Sequence, residues 1–246
     1  MATGSTNRFA GQRPESQLQR HRPLVLRTLG GRAREPRFQL QVALGLLFAF
    51  FVGAFAHVVE DYLDREALTR WDVEFSTWLH VHADPTLTSF FQIVTLAGNV
   101  VTLAIFTVAV AAWFMRRGRI NEVVVVLVSA LGIEVLNGAL KLLFHRQRPE
   151  YAYVHLDTYS FPSGHATGAT AIYGVVIYLL VRNGARSARV LAAVAFAALI
   201  PLIAFSRLYL EAHYLSDVLA GCSLGAAWAC ATLFVYEARR GVDPGR

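Results

Sequence analysis

Lysine is almost missing from this chain. Of 23 basic residues, 22 are arginine and the single lysine is Lys141. Against that bias, a lone lysine marks a position that wants a compact ammonium rather than a planar guanidinium. Charge of any kind is scarce. Only 16% of the 246 residues are charged, where a soluble domain carries about 25%. With 55% hydrophobic residues, the deficit excludes an ordinary soluble domain and indicates one membrane-embedded domain. Cysteine is limited to Cys222 and Cys230 in one apolar run. A helix would hold them about 12 Å apart, which excludes a bridge between them and leaves the redox compartment open. A cleavable signal is not evident. The first apolar run begins near residue 38 and is about 20 residues long, too late and too long for one, so it reads as an anchor that stays.

The net charge of +6 would suit nucleic acid, but its distribution argues against that partner. Eight arginines lie within residues 1–37, ahead of the first apolar run and without aromatic interleaving of the RNA-binding kind. A juxtamembrane basic tail facing anionic lipid fits this pattern. Residues 1–37 read as a largely disordered cytoplasmic tail with a short interfacial turn at 24–29. Residues 38–240 read as the membrane domain, and 241–246 as a short C-terminal tail.

Six apolar runs follow the tail, at 39–59, 97–115, 121–143, 162–181, 187–206 and 214–236. Each approaches the roughly 20 residues that cross about 30 Å of hydrocarbon. The expectation is an all-α bundle of six transmembrane helices. Arginine sets its orientation. The N-terminal tail, the connection with Arg116, Arg117 and Arg119, the connection with Arg182, Arg186 and Arg189, and the end with Arg239, Arg240 and Arg246 all fall on one side. The first connection, on the other side, carries seven acids from Glu60 to Asp84 against Arg65 and Arg70. Both termini are expected in the cytoplasm, with the remaining loops on the outer face. In the acidic loop, Trp71, Phe75, Trp78 and Leu79 recur at helical spacing. That pattern describes either a helix lying in the interface or one packed on the end of the bundle.

Three separated stretches carry chemistry, each at the end of an apolar run. The first runs from Lys141 to Arg148-Pro149. The second is Pro162-Ser163-Gly164-His165, and the third is Ser206-Arg207 followed by His213 and Asp217. Phosphoryl transfer needs cations on the non-bridging oxygens, an in-line nucleophile and an acid for the leaving oxygen. Lys141 and Arg148 share a helical face if the third span continues that far. Arg146 fits ordinary snorkelling at a span end. Pro162 suits the first turn of the fourth span, leaving the Ser163 and Gly164 N–H groups free for an anion. His213 and Asp217, four apart, face the same side at the start of the sixth span. There a carboxylate fixes the imidazole tautomer and makes its other nitrogen a better base or nucleophile.

These stretches resemble the type 2 phosphatidic acid phosphatase superfamily, which also contains soluble vanadium haloperoxidases. Its pattern is KxxxxxxRP, PSGH and SRxxxxxHxxxD, and residues 141–149, 162–165 and 206–217 match without a gap. The resemblance covers roughly residues 39–237. It implies that His213 is the nucleophile, forming a phosphohistidine, and that Asp217 orients it. It implies that His165 protonates the leaving group and that Lys141, Arg148, Arg207, Ser163 and Gly164 hold the phosphate. No metal and no cofactor are implied. Six spans exclude the soluble haloperoxidase.

Other polar residues are less specific. Glu134, Asn137 and Lys141 share one face, with Lys141 as the partner of Glu134 or Asn137 bridging the two, a structural brace being favoured over a substrate-channel role. Glu211 stands where relatives often have Gly; it either tunes the pocket or faces water, and the second is expected. His145, His155 and Asp157 are loop residues with a possible headgroup contact, and His57, His80 and His82 read as interfacial. The expected activity is metal-independent hydrolysis of a lipid phosphate monoester or diphosphate in the bilayer of a bacterial plasma membrane, with the site on its outer face. Phosphatidic acid, phosphatidylglycerol phosphate, a polyprenyl diphosphate and a sphingoid phosphate are all candidates. The alternatives are a phosphotransferase with the same site and a non-catalytic phospholipid-binding protein. The arginine distribution makes a topological prediction. A cysteine placed in the 150–160 loop should react with an impermeant thiol reagent added from outside, and one near residue 185 should not. The reverse labelling would overturn the orientation.

Overall fold

The computed structural model describes residues 36–65, 67–150, 152–153, 158–183 and 186–242. Most of the expected tail with its turn at 24–29, together with His155, Asp157 and residues 243–246, lies outside the described residues. Met1–Leu40 and Gln41–Arg246 are separate units. The described residues are all-helical: α1 (Pro36–Asp64), α2 (Ala67–Val81), α3 (Pro85–Leu96), α4 (Val100–Met115), α5 (Ile120–Phe144), α6 (Gly164–Asn183), α7 (Arg186–Tyr209) and α8 (Leu215–Val242).

Local chemistry sets the boundaries that shape the site. Asp84 caps α3, its Oδ1 accepting from Thr86 N at 2.8 Å and Leu87 N at 3.0 Å, with Pro85 in the first turn. Asn99 caps α4 by accepting from Val101 N at 2.9 Å. Helix α5 stops at His145, which sits in the left-handed region at φ 48° and donates its N–H to Lys141 O at 3.1 Å. At the start of α8, Asp217 in the first turn accepts from Tyr214 N at 2.9 Å, the reach-back half of a capping box.

The expected six spans are met in part. Helices α1, α5, α6 and α8 are long and apolar enough to cross a membrane. The pair α3 and α4 makes a fifth if its 42° bend is counted within one span. The run expected at 187–206 falls in α7, one continuous helix of 24 residues, and the count of four or five spans is made of the described residues. The second span also differs from its expected range of 97–115. A helix precedes it, and the chain breaks at Ala97-Gly98-Asn99. Tyr173 of α6 donates its hydroxyl to the Ala97 carbonyl at 2.7 Å, which ties that break to the core.

Helix α6 is the axis of the packing, against α8, α7, α5 and α4. Its Ala166, Ala169, Ala171, Val175 and Leu179 are fully buried. Small residues let α8 approach closely. A Cβ at Gly221 would sit 2.7 Å from the Ser163 carbonyl oxygen and 2.9 Å from Thr167 Oγ1, whereas one at Gly45 of α1 would meet nothing within 4 Å. Helix propensity favours Ala over Gly by about 1 kcal/mol, and overpacking costs about 1–3 kcal/mol. The contrast predicts that Gly221→Ala lowers the melting temperature while Gly45→Ala leaves it unchanged or raises it. Thermal melts of the two variants in one detergent check this, and equal shifts would contradict the close α6–α8 contact.

Candidate active site

The three stretches meet at one end of α5, α6 and α8. Lys141 and Arg148 do not share a helical face as expected, because His145 ends the helix between them. They converge through the chain that returns to α6. Lys141 Nζ donates to the Tyr159 carbonyl and, at 3.4 Å, to that of Ser160. Arg148 donates to Thr158 O at 2.9 Å, Thr158 Oγ1 at 2.9 Å and Tyr159 O at 3.5 Å. It also reaches Ala212 O at 2.7 Å and lies 3.3 Å from His213 Nε2. The expected Glu134–Lys141 pair is not formed, since the ammonium turns to these carbonyls instead. Asn137 is buried with Oδ1 unpartnered, and its amide lies against Gly164.

Pro162 is not in the first turn of a helix as expected. It follows a cis bond to Phe161, and α6 begins two residues later at Gly164. The Ser163 N–H is not free either, because it donates to the Asp217 carbonyl at 3.0 Å. That bond ties the second stretch to the third. The Ser163 hydroxyl is buried and unpartnered. His165 lies against Gly98, at the break between α3 and α4, where a Cβ would come 3.2 Å from its ring. Arg207, His213, Arg148 and Lys141 all act electrostatically on His165. Arg207 is 3% exposed. It donates through Nη1 to Thr95 Oγ1 at 2.6 Å, and its Nε has no partner.

His213 precedes α8 rather than opening it, with Nδ1 3.4 Å from Asp217 Oδ2 and 3.4 Å from Ser160 Oγ. Its other nitrogen, Nε2, faces Arg148. Asp217 is fully buried and accepts from Ser160 Oγ as well.

Two members of this cluster were not singled out by sequence. Arg146, expected to snorkel, is buried. It pairs with Asp217 at 2.7 Å and with Asp72 at 2.7 Å. Burial disfavours the Arg146 charge, but the two carboxylates outweigh it and hold its pKa above the ordinary value. Asp72 was one of seven acids in a loop, and nothing in its spacing marked it. Its helix α2 combines the two readings of the aromatic pattern. Trp71 and Trp78 are exposed by 62% and 54%, while Asp72 and Leu79 are buried against the bundle. Glu211 does not face water. It is 1% exposed, has φ 52°, and pairs with His80 at 3.0 Å. Burial raises its carboxyl above the usual range. Among the described residues no group of three or more His, Cys, Asp or Glu is placed to hold a metal ion.

The model of the PAP2 superfamily matches residues 122–240, which contain all three stretches. Phosphatidylglycerophosphatase B of Bacillus subtilis is 38% identical over 98 residues, covering 37% of this chain and 46% of the relative. Decaprenylphosphoryl-5-phosphoribose phosphatase of Mycobacterium tuberculosis is 39% identical over 92 residues, covering 35% and 46%. The chain thus spans about half the length of the curated relatives it matches. The crystal structure of a PAP2-type phosphatidylglycerolphosphate phosphatase from Bacillus subtilis superposes with a TM-score of 0.67 at 26% identity, covering 82% of this chain and 96% of that one. LpxE of Aquifex aeolicus shares the fold, with a TM-score of 0.51 at 19% identity over 66% of this chain and 94% of that one.

The electrostatics yield a pH prediction. Burial, supported by Arg207 and Arg148 and opposed by Asp217, lowers the His213 pKa to about 3. The imidazole is therefore neutral in the free protein across the physiological range. An unfolded chain takes up this proton near pH 6.5, so this residue's contribution to stability is full above that pH and drains as pH falls toward 3. In a histidine NMR titration His213 should show no protonation midpoint between pH 8 and 5. A midpoint near 6.5 would mean that water reaches the ring.

Proposed function

We propose that this chain, which belongs to the PAP2 superfamily, is an integral membrane phosphatase that hydrolyses a lipid phosphate monoester or diphosphate through a phosphohistidine on His213. The observation that carries the reading is a charge imbalance. Lys141, Arg148 and Arg207 surround two imidazoles, and among the described residues none of the three is ion-paired with a carboxylate; their bonds go to carbonyls and hydroxyls. Buried charge without a counter-ion is costly, and a phosphate dianion supplies what is missing. Each unit-charge pair at ~4 Å is worth about 4 kcal/mol at an effective dielectric of 20.

The residues divide the work as follows. Lys141, Arg148 and Arg207, with Ser163 and the N–H of Gly164, hold the non-bridging oxygens. The Asp217 carboxylate keeps the His213 proton on Nδ1, leaving the Nε2 lone pair toward the phosphorus. Attack forms an N–P bond and breaks the P–O bond of the leaving group, to whose oxygen His165 gives a proton. His165 then takes a proton from water as that water cleaves the phosphohistidine, releasing phosphate and restoring both imidazoles. The cations neutralise the transition state, so no step requires a divalent metal.

Placement supports a lipid substrate. The cations lie at the ends of apolar helices, where a headgroup presents its phosphate while its tails stay in hydrocarbon. The related proteins are named for a phosphatidylglycerol phosphate and a decaprenyl-linked phosphate, and those chemistries head the candidates. Six crossings, cytoplasmic termini and a site on the outer face of a bacterial plasma membrane complete the proposal.

The test is a phosphate-release panel with purified protein in EDTA. Phosphatidic acid, phosphatidylglycerol phosphate, a polyprenyl diphosphate and a soluble monoester are compared. Turnover of at least one lipid is expected, with a loss of about 10³-fold or more in His213→Ala and an alkali-stable, acid-labile phosphoenzyme on rapid quenching. Substantial activity in His213→Ala, or a strict Mg²⁺ requirement, would sink the mechanism.

A further inference from the structure

We infer that Asp72 and Arg146 are positioning residues of the phosphoryl-transfer site, through which helix α2 holds the Asp217 carboxylate and hence the orientation of His213. The inference rests on the proposed function for its kinetic consequence but not for its geometry.

An ionised carboxylate has about four acceptor sites, and those of Asp217 are taken up from defined directions. Oδ1 accepts from Arg146 Nη1 at 2.7 Å. Oδ2 accepts from Ser160 Oγ and from Tyr214 N at 2.9 Å, and faces His213 Nδ1. Rotation of the carboxylate away from His213 would therefore break an ion pair as well as two hydrogen bonds. Arg146 is itself fixed on every side. Nη2 donates to Asp72 Oδ2 at 2.7 Å, and Nη1 also donates to Ser216 Oγ at 2.6 Å. The rings of Tyr62 and Tyr214 lie 4.7 and 4.5 Å from the guanidinium carbon. Asp72 completes the ring of contacts by accepting from Ser216 N at 2.8 Å and from the Ser216 hydroxyl.

A purely structural role explains this less well. Burying two carboxylates and a guanidinium is an inefficient way to stabilise a fold, because desolvation offsets most of the attraction. What the arrangement does supply is direction. It runs from a helix with exposed aromatics, through a planar two-pronged group, to the oxygen opposite the one that faces the proposed nucleophile's imidazole. Sequence neighbours on α2 point opposite ways: Trp71 is 62% exposed and Asp72 only 1%. An outer face of that kind suits a lipid interface, so the lie of α2 at the membrane surface and the aim of Asp217 are set by the same helix.

The experiment compares Asp72→Asn and Arg146→Lys with the unaltered protein, with Ser216→Ala as a milder variant should either fail to fold. Three quantities are read on folded, monodisperse protein: kcat and KM for a soluble phosphate monoester and a lipid phosphate, the melting temperature, and the nitrogen NMR signature of His213. The expected outcome is a fall in kcat of about 10–100-fold, the size typical of outer-layer partners of a catalytic ligand, with KM changed less than about twofold. The His213 nitrogens should shift from one tautomer toward a mixture. A folded variant with unchanged kcat and an unchanged His213 spectrum would overturn the inference, as would a lowered melting temperature alone. If the unaltered protein releases no phosphate from any substrate, the functional reading fails. The tautomer shift, measured without substrate, then still decides whether Asp72 and Arg146 position His213.

Discussion

The constraint on which the rest of the site depends is the balance of buried charge around Asp217. Its carboxylate faces one imidazole, one guanidinium, one hydroxyl and one backbone N–H. Those partners come from the loop after α5, the approach to α6 and the turn before α8. Asp217 also gives its carbonyl to the Ser163 N–H, so one residue fixes two of the three stretches. Lys141, Arg148 and Arg207 are left with neutral partners. A fold that placed another carboxylate here would satisfy its own cations and have nothing to offer a phosphate.

The scaffold around this balance is made of close contacts rather than bulky ones. Alanines of α6 and glycines of α8 bring two backbones together, so that Ser163 and Asp217 meet across the helix pair. On the other side, the break at Ala97-Gly98-Asn99 keeps side chains from crowding His165, and Thr95 just before it receives Arg207. Two polar groups that such packing strands without partners, Ser163 Oγ and Arg207 Nε, belong to the same cluster. That is where an anion would meet them.

Much of the site was legible because its three stretches combine residue types with little other reason to stand at the ends of apolar runs. Lys141 stood out against a background of arginine, and His213 with Asp217 stood out by helical spacing. Arg146 was legible as a residue and misread in role, since an arginine at the end of an apolar run looks the same whether it faces lipid or a buried carboxylate. Asp72 and Glu211 could not be told from solvated acids, because their partners lie far away along the chain. Asp72 meets Arg146, and Glu211 meets His80.

By itself the sequence determined an all-helical, apolar chain and the division of the candidate site residues into three stretches. Those properties follow from composition and local spacing, which tertiary contacts do not alter. Only the tertiary structure decided how helices end and what they bring together. The left-handed His145 takes Arg148 off the helix of Lys141, and the bend between α3 and α4 reshapes the second span. Only there did Arg146 acquire two carboxylates. The reason is physical: helix periodicity is set by neighbours a turn away, whereas a buried charge takes its partner from whatever the fold carries to within about 3 Å, and no local pattern records that.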